Sequence, residues 1–453
     1  MAHEYSLKTS SINADFVARS RATVWHPCTQ MKQHESLPLM PIARGSGVWL
    51  YDFDGKRYLD AVSSWWVNLF GHCNPHINAA ITDQLGRLEH VLLAGFTHEP
   101  VVQLSERLTQ LAPPGLGHCF YASDGASAIE IALKMSVHFW RNSGKPGKCT
   151  FLSLQGSYHG ETLGALSVTD MTQFKEAYSA LLQQHATMPS PDWRNADAGE
   201  SAHDFALRCA AALERHLQQH HHRIAAFIVE PLVQGATGMA MYHPVYLTRA
   251  RELCDLYEIH LIADEIAVGM GRTGTMFACE QADISPDFLC LSKGISGGYL
   301  PLSVVLTAEK IYQAFYSDDL MRGFLHSHSY TGNPLACRAA LATLDIFAQD
   351  NVLDSNRSKA AYLNRMAQPV RDHARVKNFR NTGMIWAFEV ECTRMDFAQH
   401  FFMLALEQGL LLRPINRTVY FMPPYIISEA EMDRLIEGTF AAIEQIAGSR
   451  LTP

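Results

Sequence analysis

Between residues 118 and 306 the chain repeats one pattern, a short apolar run followed by a long connection. The runs are Cys119–Ala122, Thr150–Leu154, Ile224–Val229, His260–Ala263, Phe288–Leu291 and Leu302–Leu306. A strand that is apolar on both faces must be covered on both, and long connections are what parallel crossovers require. The pattern predicts an α/β fold built on a mostly parallel sheet. Before it, Ile77, Ile81, Leu85, Leu88 and Leu92 are spaced 4, 4, 3 and 4, the apolar stripe of a helix. Pro100 opens a second helix with Val101, Leu104, Leu108 and Leu111 on one face.

The two ends of the chain read differently. Val48–Tyr51 is strand-like and Asp54-Gly55 is a turn signal. After Asn333-Pro334 a long helical stretch leads to strand-like Met384–Val390 and Thr418–Met422, each followed by a helix, at 396–408 and 428–447. At about 150 residues per domain, a chain this long holds roughly three units. The pattern reduces them to two: a large domain over 76–335, and a smaller α+β domain assembled from 1–75 and 336–453. No repeat of fixed period and no low-complexity linker interrupts it.

Composition excludes several classes. The 453 residues carry a formal charge of −8, which argues against nucleic acid or an anionic membrane as partner. The ten cysteines are scattered singly with no C-x-x-C pair, so neither a disulfide framework nor a zinc ribbon is expected. Met1–Phe16 is polar and lacks the apolar core of a signal peptide. No stretch approaches the ~18 consecutive apolar residues of a membrane helix. A reduced, cytoplasmic location is the expectation.

Ligands of open α/β sheets bind at the carboxyl ends of the strands, so the residues after each run are the candidates. Ser123-Asp124-Gly125-Ala126-Ser127 opens a helix whose free N–H groups suit a phosphate, or is a plain N-cap. Gly156-Ser157-Tyr158-His159-Gly160 places an aromatic between glycines, able to stack on a flat ligand or pack on the sheet. Asp264-Glu265 ends one buried run, and Ser292-Lys293-Gly294 ends the next. A lysine leaving a buried strand into a glycine loop is unusual. With an acid at a strand end 29 positions earlier, it suggests a Schiff-base lysine and a carboxylate partner for a pyridinium nitrogen.

Together with Gly332-Asn333-Pro334, these segments resemble the class III, fold-type I aminotransferases over nearly the whole chain. That resemblance implies a large domain with a mostly parallel, seven-stranded sheet, and pyridoxal 5′-phosphate as cofactor. Trp25-His26-Pro27, Ser63-Ser64-Trp65-Trp66, Arg413-Pro414 and Met422-Pro423-Pro424-Tyr425 are similar to the biotin-pathway branch of the family. Its amino donor is S-adenosylmethionine and its acceptor 8-amino-7-oxononanoate. The resemblance implies that Lys293 holds the cofactor and shuttles the proton, and that Asp264 keeps the pyridine nitrogen protonated. By the same resemblance Tyr158 flanks ring and substrate, and Gly125 and Ala126 receive the phosphate. His328 and Ser329 do so from the other subunit of a homodimer. Trp65 lines the slot for the acceptor chain and Arg413 binds its carboxylate. Cys28 and Ser327 lie near the substrate.

Four positions depart from that pattern: Cys28 replaces Tyr, Ala126 replaces Ser (with Ser127 next), Ser329 replaces Thr and Ser327 replaces Gly. A broad ω-amine:pyruvate aminotransferase and a lysine-dependent donor variant are the alternative activities. Trp25, Trp65 and Trp66 read alone are equally core residues, and Arg413 a surface arginine. Gly269–Gly274 matches G-x-G-x-x-G but neither follows a first strand nor opens a helix, so a dinucleotide site is not expected. His216, His220, His221 and His222 read as a solvated helix end, and His72, Cys73 and His76 lack a fourth ligand; no metal is expected.

Overall fold

A computed structural model describes residues 11–37 and 39–448. The first ten residues of the polar Met1–Phe16 stretch, and residues 449–453 of the carboxyl-terminal segment, lie outside it. The apolar runs form one seven-stranded sheet. In chain order its strands are β1 (Leu116–Ala122), β2 (Thr150–Leu154), β3 (Ala186–Met188), β4 (Ile224–Val229), β5 (His260–Asp264), β6 (Phe288–Leu291) and β7 (Ser303–Ala308). Across the sheet they run β1-β7-β6-β5-β4-β2-β3. All contacts from β6 through β3 are parallel, while β7 is antiparallel to both β6 and β1. Every residue of β4, β5 and β6 is buried, as two covered faces require. Helices α1 (Gly125–Asn142), α2 (Ala202–His220), α3 (Val245–Leu256) and α4 (Pro334–Gln349) are amphipathic. On α1 the buried face includes Ile129, Ala132, Leu133 and Met135, and the Trp140 indole donates to the Ala225 carbonyl at 2.9 Å.

Segments from the two chain ends meet in one sheet. Arg57–Asp60 pairs in parallel with Leu410–Leu411, and antiparallel with Trp49–Asp52, which pairs with Ile42–Ser46. A second sheet joins Val376–Thr382, Ile385–Val390 and Thr418–Phe421, all antiparallel. One sequence expectation needs correction, and one strand carries no apolar signal in the sequence. The helix read through Leu92 stops at Leu85, because Gly86 caps it and the Gln84 amide donates to the Leu88 carbonyl at 2.8 Å. Val376–Thr382 escaped notice because it carries Lys377, Asn378, Arg380 and Asn381. A bulge lies between Lys377 and Arg380, and Arg380 is anchored on Glu389 at 2.8 Å. Among the described residues no helix is long and apolar enough to cross a membrane.

One buried acid locks β5 against β6. Asp287 accepts from the Leu261 N–H at 2.8 Å and from Arg251 at 2.9 Å, and it also pairs with Lys310. Burial opposes its ionisation, yet Arg251, His260 and Lys310 outweigh that and hold the carboxyl at about 2. A folded-state value below the unfolded one stabilises the protein above about pH 4, and that contribution is lost as pH falls toward 2. Asp287→Ala is expected to lose about 3–5 kcal/mol in equilibrium urea unfolding at neutral pH, since the buried Arg251 keeps only the exposed Asp255 as partner and the Leu261 N–H loses its acceptor. A change below about 1 kcal/mol contradicts this role.

Candidate active site

Parallel strands β4, β5 and β6 end at the same sheet edge, and a cavity of about 480 Å³ opens there. Asp264 ends β5 opposite Cys290 of β6, three residues before Lys293. Both Asp264 and Lys293 line the cavity, with Tyr158, Gly125, Ala126, Trp65, Trp66 and Cys28. Asp264 is buried and held from two sides. Its Oδ2 lies 2.7 Å from His159 Nδ1, and its Oδ1 accepts from the Ile266 N–H at 3.1 Å. His159 is itself buried, its backbone N–H fixed on Thr169 Oγ1 at 2.9 Å.

Lys293 is sunk among protein atoms but keeps some solvent access through the cavity mouth. Burial lowers its pKa to about 8, against the opposing pull of Asp264 and Glu230. Neutral amine is therefore accessible near physiological pH, as a nucleophile or a base requires. Its Nζ lies 4.4 Å from the centroid of the Trp66 ring. Tyr158 donates to Glu161 at 2.9 Å, and burial, then Glu161, push the phenol well above its ordinary value.

Helix α1 presents the Gly125 and Ala126 N–H groups as its first turn, where no carbonyl within the helix can receive them. The Ser127 hydroxyl is not free, because it donates to the capping Asp124 at 2.9 Å. Glycine is needed at two points here. A Cβ on Gly125 would lie 3.0 Å from Ile266, and one on Gly160, at φ +124°, only 2.6 Å from the Ala126 Cβ.

The two tryptophans sit on an unusual backbone. Ser63, Ser64, Trp65 and Trp66 have φ of +50°, +45°, +73° and +72°, a left-handed turn made without glycine. That conformation costs an L-residue about 1–2 kcal/mol, so it persists only where surrounding contacts over-determine it. Trp65 is 44% exposed and Arg413 lies 4.5 Å over its ring. Trp66 is buried and donates to the Tyr420 hydroxyl at 3.2 Å.

Other sequence candidates fall elsewhere. Arg413 is itself exposed and does not line the cavity; it stacks on Trp65 and its charge is felt at Cys28, both of which do. Ser327, His328 and Ser329 do not line this cavity; Ser327 and Ser329 are exposed on a loop whose His328 N–H is bonded to Thr331 at 3.1 Å. Trp25 is 88% exposed, so a place for it in this chain's core is ruled out. Met422–Tyr425 backs the left-handed turn rather than the cavity: the Ser63 hydroxyl donates to the Met422 carbonyl at 2.6 Å. Gly269–Gly274 forms a loop and opens no helix. Among the described residues no group of His, Cys, Asp or Glu is arranged to hold a metal.

Glu230 was missed. It lines the cavity with one carboxylate oxygen buried and unpartnered, and burial, reinforced by Asp264, pushes its pKa far up. It directly follows Ile224–Val229, so the strand-end rule applied to that run would have found it.

The sequence model described as "Aminotransferase class-III" matches residues 30–443. A Helicobacter pylori adenosylmethionine-8-amino-7-oxononanoate aminotransferase is 48% identical, covering 93% of this chain and 96% of its own. A Geobacter sulfurreducens protein of the same name is 39% identical over 94% and 97%. The solved Methanocaldococcus jannaschii protein of that name superposes with a TM-score of 0.90 at 32% identity, covering 96% and 99%. An ω-transaminase from Pseudomonas jessenii, solved in complex with PMP, gives 0.91 at 29% identity, over 97% and 98%.

The lysine's environment can be tested directly. In protein dialysed free of small molecules, competitive acetylation of Lys293 is expected to rise with pH through a midpoint near 8. Asp264→Asn removes a charge that favours the ammonium, so its midpoint moves lower still. A midpoint at the ordinary lysine value of 10.5 contradicts the reading.

Proposed function

The chain belongs to the class-III aminotransferase family, and from that premise we propose that it transfers the amino group of S-adenosylmethionine to 8-amino-7-oxononanoate, a step of biotin biosynthesis. The observation that carries the reading is one cavity holding Asp264 and Lys293 on the sheet edge, Trp65 and Trp66 on its wall, and Arg413 stacked on Trp65. The cofactor is pyridoxal 5′-phosphate, and the residues fit it. A helix N-terminus with two open N–H groups, a glycine-lined floor, a buried carboxylate and an accessible amine meet the needs of a phosphorylated pyridine aldehyde. When bound, that group supplies an aldehyde that exchanges for an amine and a ring that takes up electrons.

The chain's own residues do the rest. Asp264, its orientation fixed by His159, holds a proton on the ring nitrogen. Lys293 would anchor the aldehyde and, once displaced as a neutral amine, would carry the proton at Nζ between the carbon bearing the substrate's nitrogen and the cofactor's C4′ carbon, in one direction with the donor and in the other with the acceptor. Gly125 and Ala126 receive the phosphate through their N–H groups. Tyr158, tied to Glu161, borders the substrate beside Cys28. Trp65 covers the acceptor's aliphatic chain, and Arg413 meets its carboxylate with a two-pronged charge-assisted hydrogen bond. His328, Ser329 and Ser327 complete the site from the partner subunit of a homodimer, since in this chain they lie away from the cavity. The enzyme works in the cytoplasm, on small molecules, and the segment 76–335 forms its cofactor domain.

Cys28, at the cavity where the biotin branch carries tyrosine, favours a broad ω-amine aminotransferase as the second reading. Single-turnover reactions with separate donors decide between them. S-adenosylmethionine is expected to bleach the cofactor's visible absorbance at least about tenfold faster than lysine or a simple ω-amine, the ratio that about 1.4 kcal/mol from one hydrogen bond produces. Rapid bleaching by ω-amines and none by S-adenosylmethionine would establish the second reading instead.

A further inference from the structure

The left-handed turn Ser63–Trp66 is held by a clamp remote from the cavity. Asp60, fully buried, closes it. Its Oδ1 accepts from the Ser64 N–H at 2.9 Å, and its Oδ2 accepts from the Ser64 hydroxyl at 2.7 Å. The same Oδ2 lies 3.0 Å from His72 Nε2, while His72 Nδ1 lies 3.1 Å from the Asn68 amide nitrogen. An amide N–H donating to Nδ1 leaves the ring proton on Nε2, so Asn68, His72 and Asp60 form one directed chain. His72 cannot swing away. Its backbone exchanges two hydrogen bonds with Gly47, at 2.7 and 3.1 Å, and a Cβ on Gly45 would lie 2.5 Å from its own.

From the other side, Arg272 is buried, donates to the Pro423 carbonyl at 2.7 Å and approaches the Ser63 hydroxyl at 3.3 Å. The glycine loop after Lys293 rests on the end of the turn: a Cβ on Gly298 would lie 2.9 Å from backbone atoms of Val67 and Asn68. The Trp66 ring lies against Gly235, whose absent Cβ would sit 3.0 Å from the indole, with Lys293 Nζ 4.4 Å from its centroid.

We propose that this clamped turn is a positioning device, in which Asp60, acting through Ser64 and braced by His72, sets both tryptophan rings. One ring then serves Arg413 and the other Lys293. The geometry leaves little alternative purpose. An ordinary right-handed turn needs no buried carboxylate to hold it, and reversing the hand would move both rings off their partners. Asp60, Ser64 and His72 do not themselves line the cavity; they act through the rings. The inference rests on the acceptor assignment above, but its first readout needs no substrate.

Ser64 is exposed, so replacing it leaves the core intact. Glycine tolerates φ of +45°, whereas a β-branched residue resists it. In the pyridoxal-phosphate-loaded protein, Ser64→Val is expected to alter the near-ultraviolet circular dichroism of the tryptophans and Ser64→Gly to preserve it. Acceptor half-saturation should rise about tenfold in Ser64→Val relative to Ser64→Gly, with the donor's changing far less. Asp60→Ala should show the same loss, and Asp60→Ala/Ser64→Gly should recover most of it, a rescue that damage to the core alone does not give. Identical dichroism in Ser64→Val and Ser64→Gly, or a double variant no better than Asp60→Ala, overturns the proposal. Failure of the wild type to aminate 8-amino-7-oxononanoate removes the substrate assignment instead, and the dichroism pair then decides the turn alone.

Discussion

Parallel pairing of β5 with β6, in the register that sets Asp264 opposite Cys290, brings a carboxylate and an amine to one end of the sheet. Antiparallel strands would have sent the two residues to opposite edges. Parallel strands end together, so their loops share a crevice. Asp287 holds the register from the other end by taking the Leu261 N–H. Burial then does the chemical tuning. The same apolar strands that leave Lys293 poorly solvated lower its pKa to about 8, and the Asp264 charge keeps it from falling further.

The remaining wall of the cavity is made by opposite means. Where β5 delivers Asp264 from within a regular strand, Trp65 and Trp66 are delivered by four consecutive residues in a disfavoured left-handed conformation, which Lys293 just past β6 shares at φ +45°. Such strain survives because contacts from far along the chain converge on it: Asp60 and His72 from before and after the turn, Met422 and Pro423 from the carboxyl-terminal segment. The pairing of Arg57–Asp60 with Leu410–Leu411 is what brings these segments within reach. Sheet and turn meet in the loop after Lys293, where Gly298 packs on the Val67 and Asn68 backbone that follows the turn.

Much of this was legible in sequence, and the reason is local. A buried parallel strand shows as an apolar run, and the residue after it faces the crevice, so Asp264, Lys293, Tyr158 and Gly125 could be picked out by position. Glu230, the residue after Ile224–Val229, obeys the same rule. The left-handed turn was not legible: Ser-Ser-Trp-Trp carries no glycine, and every contact that enforces the turn is made after folding. Val376–Thr382 was hidden for a similar reason, its polar residues being held in a strand by pairing with Ile385–Val390 and by the Arg380–Glu389 contact. Met422–Tyr425 was conspicuous in sequence, yet its place behind the turn follows only from the three-dimensional contacts.

The central claim is that Lys293, at the shared strand edge, is the amine that carries the cofactor. Borohydride reduction of the pyridoxal-phosphate-loaded protein, followed by peptide mapping, tests it most directly. The account predicts a phosphopyridoxyl group on the peptide containing Lys293, and its loss in Lys293→Ala. A stoichiometric label on another lysine, with Lys293 unmodified, would contradict it.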